Sequence, residues 1–299
     1  QTLINNFNAK NYELVIYKTK NYLKKYSRTI IFYNLLGSSY QNIGKQNEAI
    51  TVFNNALKID PKNIYILNNL GNSYKYLLNY VKAEKIFSSI IQFNPKYINA
   101  YINLGNLKRD LNKFEEAIKL YTQADKIYPN NYIILYLLAL AHQGIGDFAA
   151  AIDFAKKTLN LNPKFTKADY LISQTINYDS HNNWHFKELV KKFNSKNLNN
   201  EEKINVMYSL AKANEDLQNI EESFKFLKKG SSLYQTINNY NLDEDKKIFE
   251  NIKKVFKNLD INSFDRNNGN RIIFVLGMPR SGTSLMEQII SAHDEVMGG

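Results

Sequence analysis

The sequence predicts a helical solenoid built from 34-residue units, with a short strand, loop and helix at its C-terminal end. Three observations predict it. Proline recurs at Pro61, Pro95, Pro129 and Pro163, each 34 residues after the last. Small residues keep the same interval in two further registers. One is Ala49, Ala83, Ala117 and Ala151; the other is Gly37, Gly71 and Gly105, with Ala139 in the fourth slot and Leu36, Leu70, Leu104 and Leu138 just before. The composition agrees: of 299 residues 44% are hydrophobic, yet only 12 are Gly and 5 Pro, which suits long helices better than many strands and turns.

Each slot has a physical reason. A small residue in the first helix and Ala in the second let the two helices approach closely. Leu and the aromatic residues Tyr33, Tyr40, Tyr74, Tyr101, Phe53, Phe87 and Tyr121 fill the space between them at helical spacing. Proline ends the second helix, because it has no N–H and disfavours helix in the residue before it. A turn such as Asn42-Ile43-Gly44-Lys45 separates the two helices of a unit.

The pattern resembles the tetratricopeptide repeat (TPR). It covers 30–165 as four units, 30–63, 64–97, 98–131 and 132–165. The fourth departs from it, with Ala155 and Thr158 in slots that usually hold Phe and Ala. Within 1–29, residues 12–27 look like the second helix of a preceding unit. A helical extension spans 166–260. In it, 166–180 continue as a helix packed on the last unit, and 181–200 are looser, with Asn and Ser breaking the pattern. Residues 204–235 form a degenerate unit with Ala211 and Ser223 in the small slots. Asp243 to Leu259 read as one more amphipathic helix, and 260–270 as a polar linker.

Composition excludes several chemistries. There is no Cys, hence no disulfide, thiolate metal site or Cys nucleophile, and no metal is expected. The net charge of +11 comes from scattered Lys, so nucleic acid is not the expected partner. The longest apolar stretch, Tyr132 to Ala141, is far short of a membrane span. The chain opens on Gln1 without a charged-then-apolar leader, and a cytoplasmic location is the expectation.

First helices line the concave side of such arrays. Asn69, Asn72, Asn103 and Asn106 lie three apart within a helix and 34 apart between helices, so they are expected to stack as a ladder. An Asn amide both donates to and accepts from a peptide backbone. Similar Asn ladders hold extended polypeptide in the TPR arrays of protein-modifying enzymes, which implies a protein or peptide acceptor on the concave face. Lys75 and Arg109, one turn on, are placed to meet acidic side chains. The alternative is that these Asn are merely solvated, in a chain rich in Asn.

At the C-terminal end, 271–276 (RIIFVL) suit a buried strand. Gly277-Met278-Pro279-Arg280-Ser281-Gly282-Thr283-Ser284 follow, then apolar residues at helical spacing from Leu285. Strand, loop and helix in that order make an anion site, since the first N–H groups of a helix lack partners and carry positive charge. Gly277 and Gly282 match the nucleotide P-loop, but Thr283 stands where that loop has Lys, so an ATPase or GTPase is not expected.

The segment PRSGTSL instead resembles the phosphosulfate-binding loop of sulfotransferases that use PAPS (3′-phosphoadenosine 5′-phosphosulfate). In particular, FVLGMPRSGTSLMEQIISAHDEVMGG is similar to the opening of that domain in tyrosylprotein sulfotransferases and in bacterial TPR–sulfotransferase fusions. The resemblance implies that 271–299 begin an α/β sulfotransferase domain with PAPS as cosubstrate. By position, Ser281, Gly282, Thr283, Ser284 and Leu285 would offer donors to the phosphosulfate. Arg280 would sit at the transferred sulfuryl group as the catalytic charge. In tyrosylprotein sulfotransferases the general base is a Glu that would fall at or past Gly299; neither Glu295 nor His293 takes that role. The implied function is sulfuryl transfer to an acceptor hydroxyl, with protein tyrosine as leading acceptor and carbohydrate next. The 299 residues alone are expected to be inactive. The rival reading is a TPR interaction scaffold without catalysis.

Overall fold

A computed structural model describes residues 2–257 apart from 196, 239 and 240. The expected linker at 260–270 and the strand, loop and helix of 271–299 lie outside the described residues. The chain divides into two compact units, Gln1–Asn239 and Tyr240–Gly299. Among the described residues every element is a helix.

The first unit starts with α1 (Thr2–Asn8) and α2 (Tyr12–Lys25). Four helix pairs follow: α3 (Ile30–Asn42) with α4 (Gln46–Ile59), α5 (Ile64–Tyr76) with α6 (Tyr80–Phe93), α7 (Ile98–Asp110) with α8 (Phe114–Ile127), and α9 (Tyr132–Gly144) with α10 (Phe148–Leu161). Next come α11 (Thr166–Thr175), α12 (Trp184–Asn194), α13 (Asn200–Asp216) and α14 (Ile220–Asn238). The second unit contributes α15 (Leu242–Lys257). The fold of the first unit is a TPR α-solenoid. From α1 to α11 each helix packs on the next, α13 then packs on α11, α12 and α14, and first helices also touch across repeats: α3 on α5, α5 on α7, α9 on α11.

The second helices end at Ile59, Phe93, Ile127 and Leu161, each two residues before its proline, as the repeat predicts. The abundant Asn has a local use. Asn63, Asn79, Asn131 and Asn183 cap helices by accepting from backbone N–H groups, and Asn199 forms a reciprocal capping box with Glu202. Within 181–200, where Asn and Ser break the repeat pattern, the Asn183 cap starts α12.

The turn inside each unit is a single device repeated. Lys10, Gly44, Leu78, Asn112 and Gly146, each 34 residues from the last, all have positive φ, from 56° to 81°. In every case the next N–H bonds the carbonyl five residues back: Asn11 to Asn6, Lys45 to Tyr40, Asn79 to Tyr74, Lys113 to Lys108 and Asp147 to His142, at 2.8–3.0 Å. This left-handed closure satisfies carbonyls orphaned at the helix end. Gln218, with φ 60°, and the bond from Asn219 to Asn214 repeat it between α13 and α14. Those two helices therefore join as a unit does, and α1 with α2 does likewise.

Packing explains why the small slot is small. A Cβ on Gly37 would come within 2.2 Å of the Phe53 ring, one on Gly71 within 2.6 Å of Phe87, and one on Gly105 within 2.4 Å of Tyr121. All three rings are fully buried, so none has room to give. The fourth unit reverses both members of the pair. Ala139 replaces the glycine and Ala155 replaces the ring, and both are fully buried. The departure at Ala155 is thus compensated across the helix pair. Thr158 is buried as well, its hydroxyl donating to the Phe154 carbonyl at 2.9 Å.

A buried cation ties neighbouring units. Lys108 on α7 reaches Glu84 on α6 and Glu116 on α8, both at 2.7 Å. Burial by itself lowers the pKa of this ammonium, but the hydrogen bonds to Glu116 and Glu84 outweigh it and hold it above the usual lysine range.

The turn yields the first prediction. Leu78 adopts φ 58° with its side chain exposed, so its Cβ strains the backbone and gains little packing. Leu78→Gly is expected to raise unfolding stability by about 1 kcal/mol. Gly44→Leu should lower it by a similar amount. Chemical denaturation of the three proteins checks both signs.

Candidate functional site

The expected Asn residues all lie on first helices, Asn69 and Asn72 on α5, Asn103 and Asn106 on α7. They do not bond to one another at the 34-residue interval. The rungs are diagonal: Asn69 Nδ2 donates to Asn34 Oδ1 at 2.7 Å, and Asn103 Nδ2 donates to Asn68 Oδ1 at 2.7 Å. The reason is geometric. A side chain crossing from one first helix to the next meets the neighbouring slot, so residue i pairs with i+35. Asn34 and Asn68 are therefore members of the face that sequence reasoning missed. Their own 34-residue spacing was the signal.

Each rung uses one side of each amide. Asn69 and Asn103 keep their Oδ1 atoms free, and Asn34 and Asn68 keep their Nδ2 groups free, among the described residues. Asn106 Oδ1 accepts from the Tyr121 hydroxyl at 2.8 Å, which leaves its Nδ2 outward. Burial pushes the Tyr121 pKa up, with nearby Arg109 opposing it, so the phenol stays a donor. Asn72 makes no hydrogen bond among the described residues. The result is one helix face with open donors and open acceptors on a pre-bonded lattice.

A second row ties the first helices together. Gln41, Lys75, Arg109 and Gln143 share one slot at 34-residue intervals. Gln41 Nε2 donates to Ser73 Oγ and to the Asn69 carbonyl, each at 2.8 Å, and Gln143 Nε2 to Thr175 Oγ1 at 3.0 Å. Lys75 does the same work as an ion pair with Asp110 at 2.7 Å. This corrects the expectation that Lys75 waits for a ligand's acidic side chain. Its charge is already met by Asp110, because the slot points along the array. Arg109 is 3.7 Å from the same carboxylate. One carboxylate thus faces two cations, Lys75 in close contact and Arg109 further off.

A second polar cluster lay wholly outside sequence reasoning. Asp169 on α11 is fully buried, accepts from Lys192 Nζ at 2.6 and 2.9 Å, and lies 3.3 Å from His185 Nε2. The Tyr178 hydroxyl meets His185 Nδ1 at 2.6 Å, and burial pushes the Tyr178 pKa up. The Tyr–His–Asp order is that of a relay, but His185 and Asp169 have no solvent access and no substrate can reach them. The cluster instead fastens α12 to α11 where the repeat pattern lapses. No sequence interval marks it, since its members come from α11, α12 and the segment between them.

Among the described residues no group of His, Asp and Glu is arranged to hold a metal, and no helix is long and apolar enough to cross a membrane. Arg280, Ser281, Gly282, Thr283, Ser284 and Leu285 lie outside the described residues.

Comparison with known proteins adds three family matches. Residues 37–77 match the TPR repeat family, 108–174 the tetratricopeptide repeat family, and 272–299 the sulfotransferase family. No curated protein matches the chain. Among solved structures, a tetratricopeptide repeat protein from Parabacteroides merdae is 16% identical, with 83% of this chain and 95% of that chain covered and a TM-score of 0.58. MamA is 23% identical over 55% of this chain and 90% of its own, with a TM-score of 0.46. YrrB, described as a TPR protein with an unusual peptide-binding site, is 14% identical over 70% and 97%, with a TM-score of 0.45. The class is therefore a TPR solenoid protein. More particularly, it is one whose C-terminal residues carry a partial match to sulfotransferases.

The buried cluster yields the second prediction. Asp169→Ala leaves His185 and Lys192 without their shared carboxylate, and should cost about 3 kcal/mol or more. Thermal unfolding checks this. Hydrogen exchange should locate the loosening in 178–194, while α3 to α8 keep their protection.

Proposed function

We propose that the array is a peptide-binding arm that presents an acceptor to a PAPS-dependent sulfotransferase domain begun by 271–299. The observation that carries the first half is the set of open amide donors and acceptors on Asn34, Asn68, Asn69, Asn72, Asn103 and Asn106. An extended peptide shows alternating N–H and C=O groups, and such a lattice pairs with both without selecting side chains. The lattice is already bonded to itself, so little ordering entropy is lost on binding. The sulfotransferase match at 272–299 supports the second half.

In the proposed reaction the acceptor hydroxyl oxygen attacks the sulfur of PAPS in line. The new S–O bond forms as the bond from sulfur to the bridging phosphate oxygen breaks. The hydroxyl proton leaves to a base, and 3′,5′-adenosine diphosphate departs with the electron pair. The donor set of the loop suits the substrate: Ser281, Thr283 and Ser284 supply hydroxyls, and Arg280 supplies charge where the leaving phosphate becomes more negative. Protein tyrosine is the proposed acceptor. A scaffold without catalysis is the second reading, favoured by the purely helical character of the described residues.

Two experiments test these halves separately. Fluorescence polarisation against a library of extended peptides should select binders, and joint Asn69→Ala and Asn103→Ala substitution should weaken them about tenfold. An unchanged affinity removes the peptide face. Full-length protein with sulfur-labelled PAPS and an acidic tyrosine peptide should yield labelled peptide. Arg280→Ala should cut the rate tenfold to a hundredfold, as roughly expected for one charge-assisted hydrogen bond. Equal rates would refute the role of the loop, and absence of any transfer leaves the scaffold reading.

A further inference from the structure

The first-helix face changes character along the array. The slot holding Asn34 and Asn68 passes through Ile102 to Tyr136 and Tyr170, and in the degenerate unit it holds Tyr208. Likewise Gln174 sits where Asn72 sits three units earlier. Tyr170, Gln174, Tyr208, Lys212, Glu215 and Leu227 line a cavity of about 330 Å³ between α11, α13 and α14. Tyr170 and Leu227 are 39% and 43% exposed, so apolar surface faces the opening.

One charge lining this cavity has no partner among the described residues. Lys212 is held by Asp216, which also accepts from the Tyr178 N–H at 3.2 Å. The Glu215 side chain makes no ion pair or hydrogen bond among the described residues. With Lys212 held by Asp216, the Glu215 carboxylate stands unpaired beside two tyrosine rings and the Gln174 amide. At the α7 end of the same face, Lys75 and Arg109 stand beside Asp110.

We propose that this cavity binds the side chain of an arginine or lysine from a partner peptide, whose backbone lies on the Asn lattice. The aliphatic stem covers Leu227, the cationic head rests against the Tyr170 and Tyr208 faces, and Glu215 supplies the counter-charge. An apolar anchor would leave the Glu215 carboxylate uncompensated at the cavity mouth. First helices lie roughly 10 Å apart, so α7 to α11 is about 20 Å, or about six residues of extended chain. The ligand class is therefore a peptide with an acidic residue opposite Arg109 and a basic residue about six positions away. The proposal rests on the peptide-face reading for the backbone, but the cavity is testable without it.

The probe for the cavity is N-acetyl-arginine amide, with the uncharged N-acetyl-citrulline amide as its isostere. Titration into the full chain should move the Tyr170 and Tyr208 ring resonances saturably, and citrulline should bind about fivefold to tenfold more weakly. Glu215→Gln, at an exposed position, should remove that preference. Tyr170→Ala should weaken arginine binding, and Tyr170→Phe should keep it. Equal binding of arginine and citrulline, or an arginine response unchanged by Glu215→Gln, overturns the proposal. Asn69→Ala with Asn103→Ala should leave the arginine titration intact while library peptides lose affinity. Loss of peptide affinity in Glu215→Gln but not in the Asn variant would sink the backbone lattice and leave the cavity standing.

Discussion

The close contact between a glycine on the first helix and a buried ring on the second is the constraint on which the array depends. It sets how near the two helices of a unit lie, and so where the next unit stacks. The distances leave no space for even a methyl group at Gly37, Gly71 or Gly105. The fourth unit shows that pair volume matters more than residue identity, because Ala139 and Ala155 exchange a missing ring for an added methyl. Interiors packed to crystal density tolerate such swaps only when both partners change.

With unit geometry set, the first helices become a regular platform. Hydrogen bonds and one ion pair cross it in a constant slot, through Gln41, Lys75 and Gln143. These links join successive units without using the outward sides of the Asn amides. Rigidity and binding capacity therefore sit on the same surface and do not compete for the same atoms. The platform also changes along its length, from amides and two cations beside Asp110 near α7 to tyrosine rings and the unpaired Glu215 carboxylate on α13.

The repeat weakens after α11, and a different interaction takes over. A fully buried carboxylate shared by His185 and Lys192 holds α12 in place. Such a network stabilises little by itself, since burying charge costs nearly what pairing returns. Its value is positional, because removing one member leaves the others buried and unpaired. That logic separates it from the Asn lattice, whose members other than Asn68 are only partly buried.

The sequence alone determined the unit length, its boundaries and the helix ends, because proline, glycine and alanine act through local backbone and contact geometry that repeats every 34 residues. It also pointed to Asn69, Asn72, Asn103 and Asn106 and to the first-helix face. Tertiary structure decided the rest. Whether Lys75 was free depended on Asp110 in the next unit, and the partners of Asn69 and Asn103 were Asn34 and Asn68 rather than each other. The Asp169 cluster follows no repeat interval, and the Tyr170–Tyr208 cavity is closed by α11, α13 and α14 packing together. Periodicity reports which way a side chain faces; only the packing of one helix on another settles what it meets there.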